Sequence, residues 1–308
     1  MEGFFQNPLY YDLAFHTIVQ NKKVDLDSWL TDYAERRYGS DEECLKNPVF
    51  ALSCYNPKCI GRETSSIIAA RPSTTHYHTA PNDKVELRYD NKVLFSALTE
   101  LLRAENAATD GYRFDVCDIL RQVLSNKAKE VYFAIMESFR YHDKEAFEDN
   151  CSLFEKILLA IDRILATRDE LSFAPHINEA IANACCDEHK ELFRQNEVAL
   201  ITIWGPYVNN ELFDYAWKEW AGLVKDYYLP RWQMFFNELR ASFGEDIRHI
   251  SDTPFHHNER NDYETTEFQQ KLRDFEYSFT YSYKGTPRKG EDTIAVAREL
   301  AEFFANII

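Results

Sequence analysis

Apolar residues recur at steps of three and four over most of the chain after residue 90, which predicts a mainly α-helical protein. The clearest case lies between Tyr112 and Phe139, where apolar side chains return at helical spacing and charged residues fall between them. A short helix is expected over residues 7–19. The same spacing predicts further helices over 147–165, 177–200, 213–228, 232–243, 264–283 and 293–304, with Pro230 ending the helix over 213–228.

Two segments interrupt this pattern. Four Xaa-Pro pairs break every period between residues 38 and 90, and a second break covers residues 244–262. Alternation typical of strands is brief, near residues 67–70 and 85–89. The expected architecture is an irregular helical bundle of about 200 residues, a size that one hydrophobic core can still serve.

Composition narrows the possible partners. Of the 308 residues, 45% are apolar, which is enough for a sizeable core, and 35 basic against 51 acidic residues give a net charge of −16. Such a charge repels phosphate backbones and anionic headgroups, so we expect no nucleic-acid partner. The longest apolar runs fall well short of the ~20 residues of a membrane helix, so we expect no membrane span. The first residues carry no secretory signal.

The cysteines and histidines do not form a recognisable metal motif. Seven cysteines are present without paired CxxC spacing, and only Cys54 and Cys59 are close enough in sequence for a small loop disulfide. We interpret the cysteines as structural or free thiols. Four histidines lie in the loop-rich segments, with Cys185-Cys186 as possible company: His76, His78, His256 and His257. Metal sites usually show tighter ligand pairs, so the sequence predicts no metal. No glycine-rich phosphate loop or Ser/His/Asp triad is recognisable, and no cofactor is expected.

Two candidates for sugar chemistry stand against structural alternatives. Glu2 has Gln6 and Asn7 close by in sequence, but a glutamate one residue from the start of a chain is usually solvated. Trp204-Gly205-Pro206 interrupts a helical stretch, so the indole either lies exposed at a bend, free to stack on a sugar, or is a core tryptophan at a helix junction. From the residues alone, the core interpretation is favoured.

Other polar and aromatic residues have simpler structural explanations. Asp118 and Arg121 are three residues apart on one helix and are expected to pair. Arg231 is expected to hold helix ends or a buried carboxylate rather than an anion. A run of aromatic residues at helical spacing suits a packed helix face better than a ligand site: Tyr215, Trp217, Trp220, Tyr227, Tyr228 and Trp232.

Four ordered blocks between residue 2 and about residue 240 resemble the carboxy-terminal half of α-N-acetylglucosaminidases, the retaining glycoside hydrolases that include the lysosomal heparan sulfate enzyme. The blocks are Glu2-Gly3 with Gln6-Asn7 and Tyr11; Ala34-Glu35-Arg36-Arg37-Tyr38-Gly39; Tyr112-Arg113-Phe114-Asp115 with Asp118 and Arg121-Gln122; and Ile203-Trp204-Gly205-Pro206 continuing to Pro230-Arg231-Trp232. Each block alone is weak, and together they are specific.

The resemblance implies a domain organisation and a set of roles. Family members have a small amino-terminal domain, a (β/α)8-type barrel and an all-helical domain. Residues 1–22 are therefore expected to be the end of a barrel, and residues 23–308 the helical domain. Glu2 matches the catalytic nucleophile. Trp204 matches a tryptophan that reaches into the sugar pocket, with Leu212 and Tyr215 beside it as substrate-binding residues.

The resemblance also sets limits on activity. The family's acid/base glutamate lies on an earlier barrel strand, which has no counterpart in these residues, so the isolated chain is expected to be inactive. Its implied partners are a glycan with terminal α-linked N-acetylglucosamine, of heparan sulfate type in animals, and the remaining barrel of the same protein. The implied location is lysosomal or secreted. The alternative is a non-catalytic helical module that binds a partner.

Overall fold

The computed structural model describes residues 8–20, 23–45, 66–74, 89–205, 214, 216, 218–245, 266–285 and 290–308. Ten α-helices form within these ranges, and the prediction of a mainly α-helical fold is confirmed. They are α1 (Pro8–Gln20), α2 (Leu26–Tyr38), α3 (Asn91–Leu101), α4 (Asp110–Arg140), α5 (Lys144–Leu165), α6 (Phe173–Ala182), α7 (Asp187–Ile201), α8 (Leu229–Ala241), α9 (Glu267–Ser282) and α10 (Thr293–Phe304). The described backbone has one isolated bridge, between Ser172 and Ala221, and no named strand.

Local signals define the ends of α2. The Asp25 side chain accepts hydrogen bonds from the backbone of Asp27 and Ser28, which satisfies two amides of the first turn. Gly39 ends the helix in the left-handed region, with φ of 70°, and its amide donates to the Glu35 carbonyl. Glycine adopts this conformation without the penalty that a Cβ atom brings.

The chain divides into two compact units. The first comprises Met1–Ile60, Leu87–Val123 and Asp292–Ile308. Within it, Arg37 donates two hydrogen bonds to the buried carboxylate of Asp115, at 2.6 and 2.5 Å, and the Tyr38 hydroxyl donates a third at 3.0 Å. A smaller cluster joins α1 to α2 through Leu9, Trp29 and Tyr33.

The second unit comprises Gly61–Glu86 and Leu124–Glu291. Its core surrounds Trp232 on α8, which is nearly fully buried and contacts the rings of Tyr132, Phe154 and Phe236. Helices α6 and α7 pack together, and α9 packs against α7 and α8. Burial of large aromatic side chains such as Phe154, Trp232 and Phe236 stabilises a helical core of this kind.

Several helix predictions are confirmed closely. The helix over 293–304 has the expected bounds, and the helices expected over 7–19, 112–139 and 147–165 are observed within a few residues of those positions. Two further predicted segments, 232–243 and 264–283, also hold helices with shifted ends. The apolar side chains whose spacing predicted α4 are fully buried, for example Val116, Leu120 and Val123.

The helix predicted over 177–200 is wrong as a single element. Helix α6 ends at Ala182, and α7 begins at Asp187 after an extended Cys186. The two helices pack against each other, so apolar positions recur on both sides of the break.

The helix predicted over 213–228 is observed only in its last residues within the described part. Residues 218–222 are not an α-helix, and Val224–Tyr228 forms a π-helical turn that leads into α8. Pro230 does not stop this segment, because it lies in the first turn of α8. A proline is tolerated there, since the first amides of a helix lack intrahelical partners.

Residues 67–70 form a buried turn rather than a strand. The alternation expected at 85–89 falls almost entirely outside the described residues. None of the described helices combines the length and apolar character needed to cross a bilayer.

Candidate functional site

Trp204 lies just beyond the end of α7, in a backbone conformation that is rare for a large side chain. Its φ is 50°, in the left-handed region, and its amide donates to the Ala199 carbonyl at 2.8 Å. For a residue other than glycine such a conformation costs on the order of 1–3 kcal/mol and persists only where the surroundings impose it. The side chain remains 40% exposed. Trp204 is therefore not the core tryptophan that residue statistics favoured.

Two contacts hold the backbone on either side of Trp204. The carbonyl of the fully buried Thr202 accepts a hydrogen bond of 2.7 Å from the amide of Asp214. The carbonyl of Gly205 accepts one of 2.7 Å from the Tyr277 hydroxyl on α9. These contacts fix the turn from the two sides, and so provide the surroundings that a strained tryptophan requires.

Asp214 is in turn held by a buried arginine. Arg231, on α8, donates through one nitrogen to Asp214 at 2.7 Å and to Glu276 at 2.9 Å, and all three side chains are almost fully buried. Its other terminal nitrogen donates to the backbone carbonyls of Ala69 and Ala70 at 3.1 and 3.2 Å. The guanidinium thus ties together α8, α9, the turn at 67–70 and the residue that fixes Thr202.

A second arginine completes the charge balance. Arg71 donates two hydrogen bonds of 3.0 Å to the two carboxylate oxygens of Glu276. The rings of Tyr227 and Tyr228 lie 4.5 and 5.0 Å from the Arg231 guanidinium carbon, within cation–π range. Two carboxylates therefore face two guanidinium groups in a low-dielectric environment, which is the condition under which buried charges are tolerated. We call Asp214, Arg231, Glu276 and Arg71 the buried charge cluster.

Burial shifts the titration of this cluster. It raises the pKa of the Asp214 carboxyl to about 7, although the charge of Arg231 opposes the shift. The second carboxylate oxygen of Asp214 is buried and has no hydrogen-bond partner among the described residues, which is consistent with a disfavoured ionised form. Burial also raises the pKa of the Tyr227 and Tyr228 hydroxyls well above their ordinary value.

The residues predicted from sequence have different outcomes. Glu2, Leu212 and Tyr215 lie outside the described residues, so their predicted roles stay predictions. Trp204 is described, and its role as a sugar contact also stays a prediction. The expected ion pair of Asp118 with Arg121 is confirmed, with a hydrogen bond of 2.9 Å.

The expectation that Arg231 holds a buried carboxylate is confirmed, whereas its partners were missed. Asp214 and Glu276 lie 17 and 45 residues away in sequence. Glu276 carried one available signal, because it interrupts the buried face of α9 between Leu272 and Phe279. A carboxylate at such a position needs a buried cation.

The predicted packing of the aromatic run is confirmed where it is described. Trp220, Tyr227, Tyr228 and Trp232 are buried, while Tyr215 and Trp217 lie outside the described residues. The buried charge cluster offers arginine donors and no metal-ligand set. In the described part of the chain, the possible metal ligands Cys185, Cys186 and His189 gather at the opposite end of α7 from Trp204.

Known proteins are similar to this chain along nearly its whole length. A sequence model of the family described as Alpha-N-acetylglucosaminidase (NAGLU) C-terminal domain matches residues 29–302. The human protein named Alpha-N-acetylglucosaminidase is 26% identical over 97% of this chain, and the match spans 38% of the human protein.

Solved structures are similar in fold. A Family 89 Glycoside Hydrolase from Clostridium perfringens in complex with PUGNAc matches with a TM-score of 0.79 and 26% identity, over 96% of this chain and 33% of that chain. A variant of the Clostridium perfringens protein in complex with its substrate GlcNAc-α-1,4-galactose matches with a TM-score of 0.78 and 25% identity, over the same shares. The chain thus spans little more than a third of the relatives it matches. Because the family model covers most of its length, the chain belongs to the α-N-acetylglucosaminidase C-terminal domain family.

Proposed function

We propose that this chain forms the helical part of a glycoside hydrolase that removes terminal α-linked N-acetylglucosamine from glycans by a retaining double displacement. Membership of the family over residues 29–302 supports the enzyme class. The observation that carries the proposal within this chain is the exposed, strained Trp204, held by the buried charge cluster. Energy stored in the backbone of an exposed aromatic residue is typical of functional sites.

In this proposal Trp204 forms one wall of the sugar pocket. Its indole offers an apolar face on which the C–H face of a pyranose can stack. Leu212 and Tyr215 contribute the apolar and hydroxyl contacts beside it. Since the turn is fixed by Thr202 and Gly205, the wall is set in place before the sugar arrives, which lowers the entropy cost of binding.

Glu2 is the proposed nucleophile, in a segment of residues 1–22 that forms the end of the catalytic barrel. A retaining mechanism needs a second carboxyl group about 5 Å from the nucleophile, to donate and then reclaim the proton. The described carboxylates with structural roles, such as Asp115 beside Arg37, are not candidates. We therefore propose that the 308-residue chain does not turn over substrate without the rest of the barrel.

Helix α1 supports the proposed role of the barrel as a partner. Three of its apolar side chains, Phe15, Ile18 and Val19, are 69%, 77% and 63% exposed. A continuous apolar face on one helix is unusual for an isolated surface and is stabilised when another element covers it. In the proposal, the remaining barrel of the same protein covers this face.

The biological setting belongs to the proposal as well. The family resemblance favours a glycan of heparan sulfate type in animal relatives and a lysosomal or secreted location. These follow from the likeness alone and depend on the enzyme being assembled with its barrel.

The proposal is tested by hydrolysis of an aryl α-N-acetylglucosaminide. The isolated chain is compared with a hybrid in which this chain replaces the matching part of the Clostridium perfringens protein. We expect no turnover by the isolated chain, turnover by the hybrid, and loss of that turnover with Glu2→Gln. Turnover by the isolated chain that Glu2→Gln abolishes would contradict the requirement for the barrel. A folded hybrid without turnover would instead favour the non-catalytic helical module.

A further inference from the structure

A second chemical centre lies at the start of α7, at the opposite end of that helix from Trp204. The ligand atoms of Cys185, Cys186 and His189 all lie within 4.8 Å of one another, and all three residues are exposed. Cys185 Sγ lies 3.0 Å from His189 Nδ1. Helix α7 has 15 residues, so about 22 Å of helix separates this group from Trp204.

The start of the helix brings these side chains together. Cys186 occupies the N-cap position of α7, and its carbonyl accepts a hydrogen bond of 3.1 Å from the His189 amide. His189 is therefore fixed one turn into the helix, while Cys185 lies in the short connection that follows Ala182 of α6. The sequence signal is Cys-Cys-x-x-His, which a search for CxxC pairs passes over.

Two thiols and one imidazole form a ligand set that suits a thiophilic divalent cation. Zinc is bound by thiolate sulfur at about 2.3 Å and by imidazole nitrogen at about 2.0–2.1 Å, usually in a tetrahedron. Those bond lengths place ligand atoms roughly 3.5–3.8 Å apart. The group already has one separation of 3.0 Å and none above 4.8 Å, so rotation of exposed side chains is enough to reach the required geometry.

We propose that Cys185, Cys186 and His189 bind one divalent cation of the zinc class, with water at the fourth position. The exposed carboxylate of Glu188, in the first turn of α7, adds negative potential that favours a cation, whereas that of Asp187 is paired with Lys190 at 2.6 Å. The bound ion joins the α6–α7 connection to the first turn of α7. This site is independent of the sugar chemistry proposed above.

The test uses the full chain, freed of metal, fully reduced and then handled without oxygen and without added reductant. Titration with Co²⁺ should produce thiolate-to-metal charge-transfer absorption and the visible bands of a tetrahedral ion. Added Zn²⁺ should displace the Co²⁺ and abolish both signals. Because losing even an outer-shell partner lowers metal affinity roughly 10- to 100-fold, removal of a ligand should lower it at least as much. We expect that loss for Cys185→Ser, Cys186→Ser and His189→Ala.

Matched controls separate this site from the other thiols of the chain. Cys44→Ser removes a partly exposed cysteine elsewhere, and the double variant Cys54→Ser/Cys59→Ser removes the two cysteines outside the described residues. Both should bind Co²⁺ as the unmodified chain does. Since Cys185, Cys186 and His189 are exposed, their variants should fold normally by circular dichroism, and Zn²⁺ should raise the melting temperature of the unmodified chain but not of Cys185→Ser.

Absence of thiolate charge-transfer absorption in the unmodified chain would overturn the proposal. So would unchanged Co²⁺ affinity in the double variant Cys185→Ser/Cys186→Ser. A signal lost only in Cys54→Ser/Cys59→Ser would place the metal elsewhere and equally refute the assignment.

Discussion

Removal of the Arg231 guanidinium should be among the most damaging single changes in this chain. Arg231→Met keeps much of the side-chain volume but deprives the buried Asp214 of its ion-pair partner and the buried Glu276 of one of its two. Breaking a buried pair in this way costs about 3–5 kcal/mol. The carbonyls of Ala69 and Ala70 also lose a donor, and each unsatisfied buried group costs roughly 1–3 kcal/mol. Together these losses approach the about 5–15 kcal/mol that stabilises a whole domain.

A matched control lies on the same helix. Arg240 also contacts a carboxylate, Glu148, through two hydrogen bonds of 3.1 and 2.9 Å, but both side chains are more than a third exposed. Solvent screens such a pair, so Arg240→Met should cost at most about 1 kcal/mol. Both variants would be unfolded in urea, with far-ultraviolet circular dichroism as the signal. Their unfolding midpoints are compared only if the free energy of unfolding falls with urea at the same slope in both.

The charge argument can be separated from lost packing. In the Arg231→Met background, Asp214→Asn removes the carboxylate that is left without a hydrogen-bonded cation while keeping its shape, whereas Glu276 keeps its two hydrogen bonds from Arg71. If buried charge dominates, Asp214→Asn recovers more than about 1 kcal/mol of the lost stability. The reasoning is refuted if Arg231→Met costs no more than Arg240→Met, or if neutralising the Asp214 carboxyl recovers nothing.

Three further outcomes follow from the same unit of the fold. Trp204→Gly should be more stable than Trp204→Ala by about 1 kcal/mol in urea unfolding, because glycine accepts a φ of 50° without a Cβ penalty, and equal stability would contradict the strain. Gly222→Ala should cost about 2 kcal/mol or more, since φ is 88° and the new Cβ would lie 2.6 Å from the Tyr283 hydroxyl. Tyr283→Phe in the same background should recover part of that loss. If Tyr283→Phe recovers nothing, the cost comes from backbone strain alone. Burial raises the pKa of Asp214 to about 7 from 3.8, so ionisation of this carboxyl opposes folding. The stability of the unmodified chain relative to Asp214→Asn should be fully present below about pH 4 and be lost as pH rises through about 7. Parallel pH profiles of stability for the two proteins would refute the shift.

Some parts of this structure were readable from local pattern alone. Helix α10 has the predicted bounds because two local signals agree. The Asp292 side chain caps the first turn, and the stripe of apolar residues begins and ends with the helix. The break between Ala182 and Asp187 was not predicted, because no proline or glycine marks it. Pro230 led to the prediction of a helix end where a helix begins. A proline marks the end of a helix only when it does not lie in a first turn, and Pro230 lies in the first turn of α8.

The support beneath Trp204 required the tertiary structure. Sequence spacing identified Arg231 as a residue that needs a buried carboxylate, but Asp214 and Glu276 reach it only through the packing of α8 and α9. Residue statistics favoured a buried Trp204, whereas the left-handed backbone turns its side chain partly to solvent. The family resemblance singled out Trp204 as a sugar contact, which stays a prediction, and only the structure shows how its backbone is held.

The central claim is that Trp204 forms a preset wall of the sugar pocket, and kinetics of the Clostridium perfringens hybrid test it most directly. If stacking on the sugar contributes as much as an aromatic pair does, about 0.5–1.5 kcal/mol, its loss is equivalent to roughly two- to tenfold in affinity. Trp204→Ala should therefore raise KM for the aryl α-N-acetylglucosaminide by roughly two- to tenfold. Phe303→Ala, which truncates another exposed aromatic side chain, should leave KM unchanged. An unaltered KM in a folded Trp204→Ala hybrid would contradict the claim.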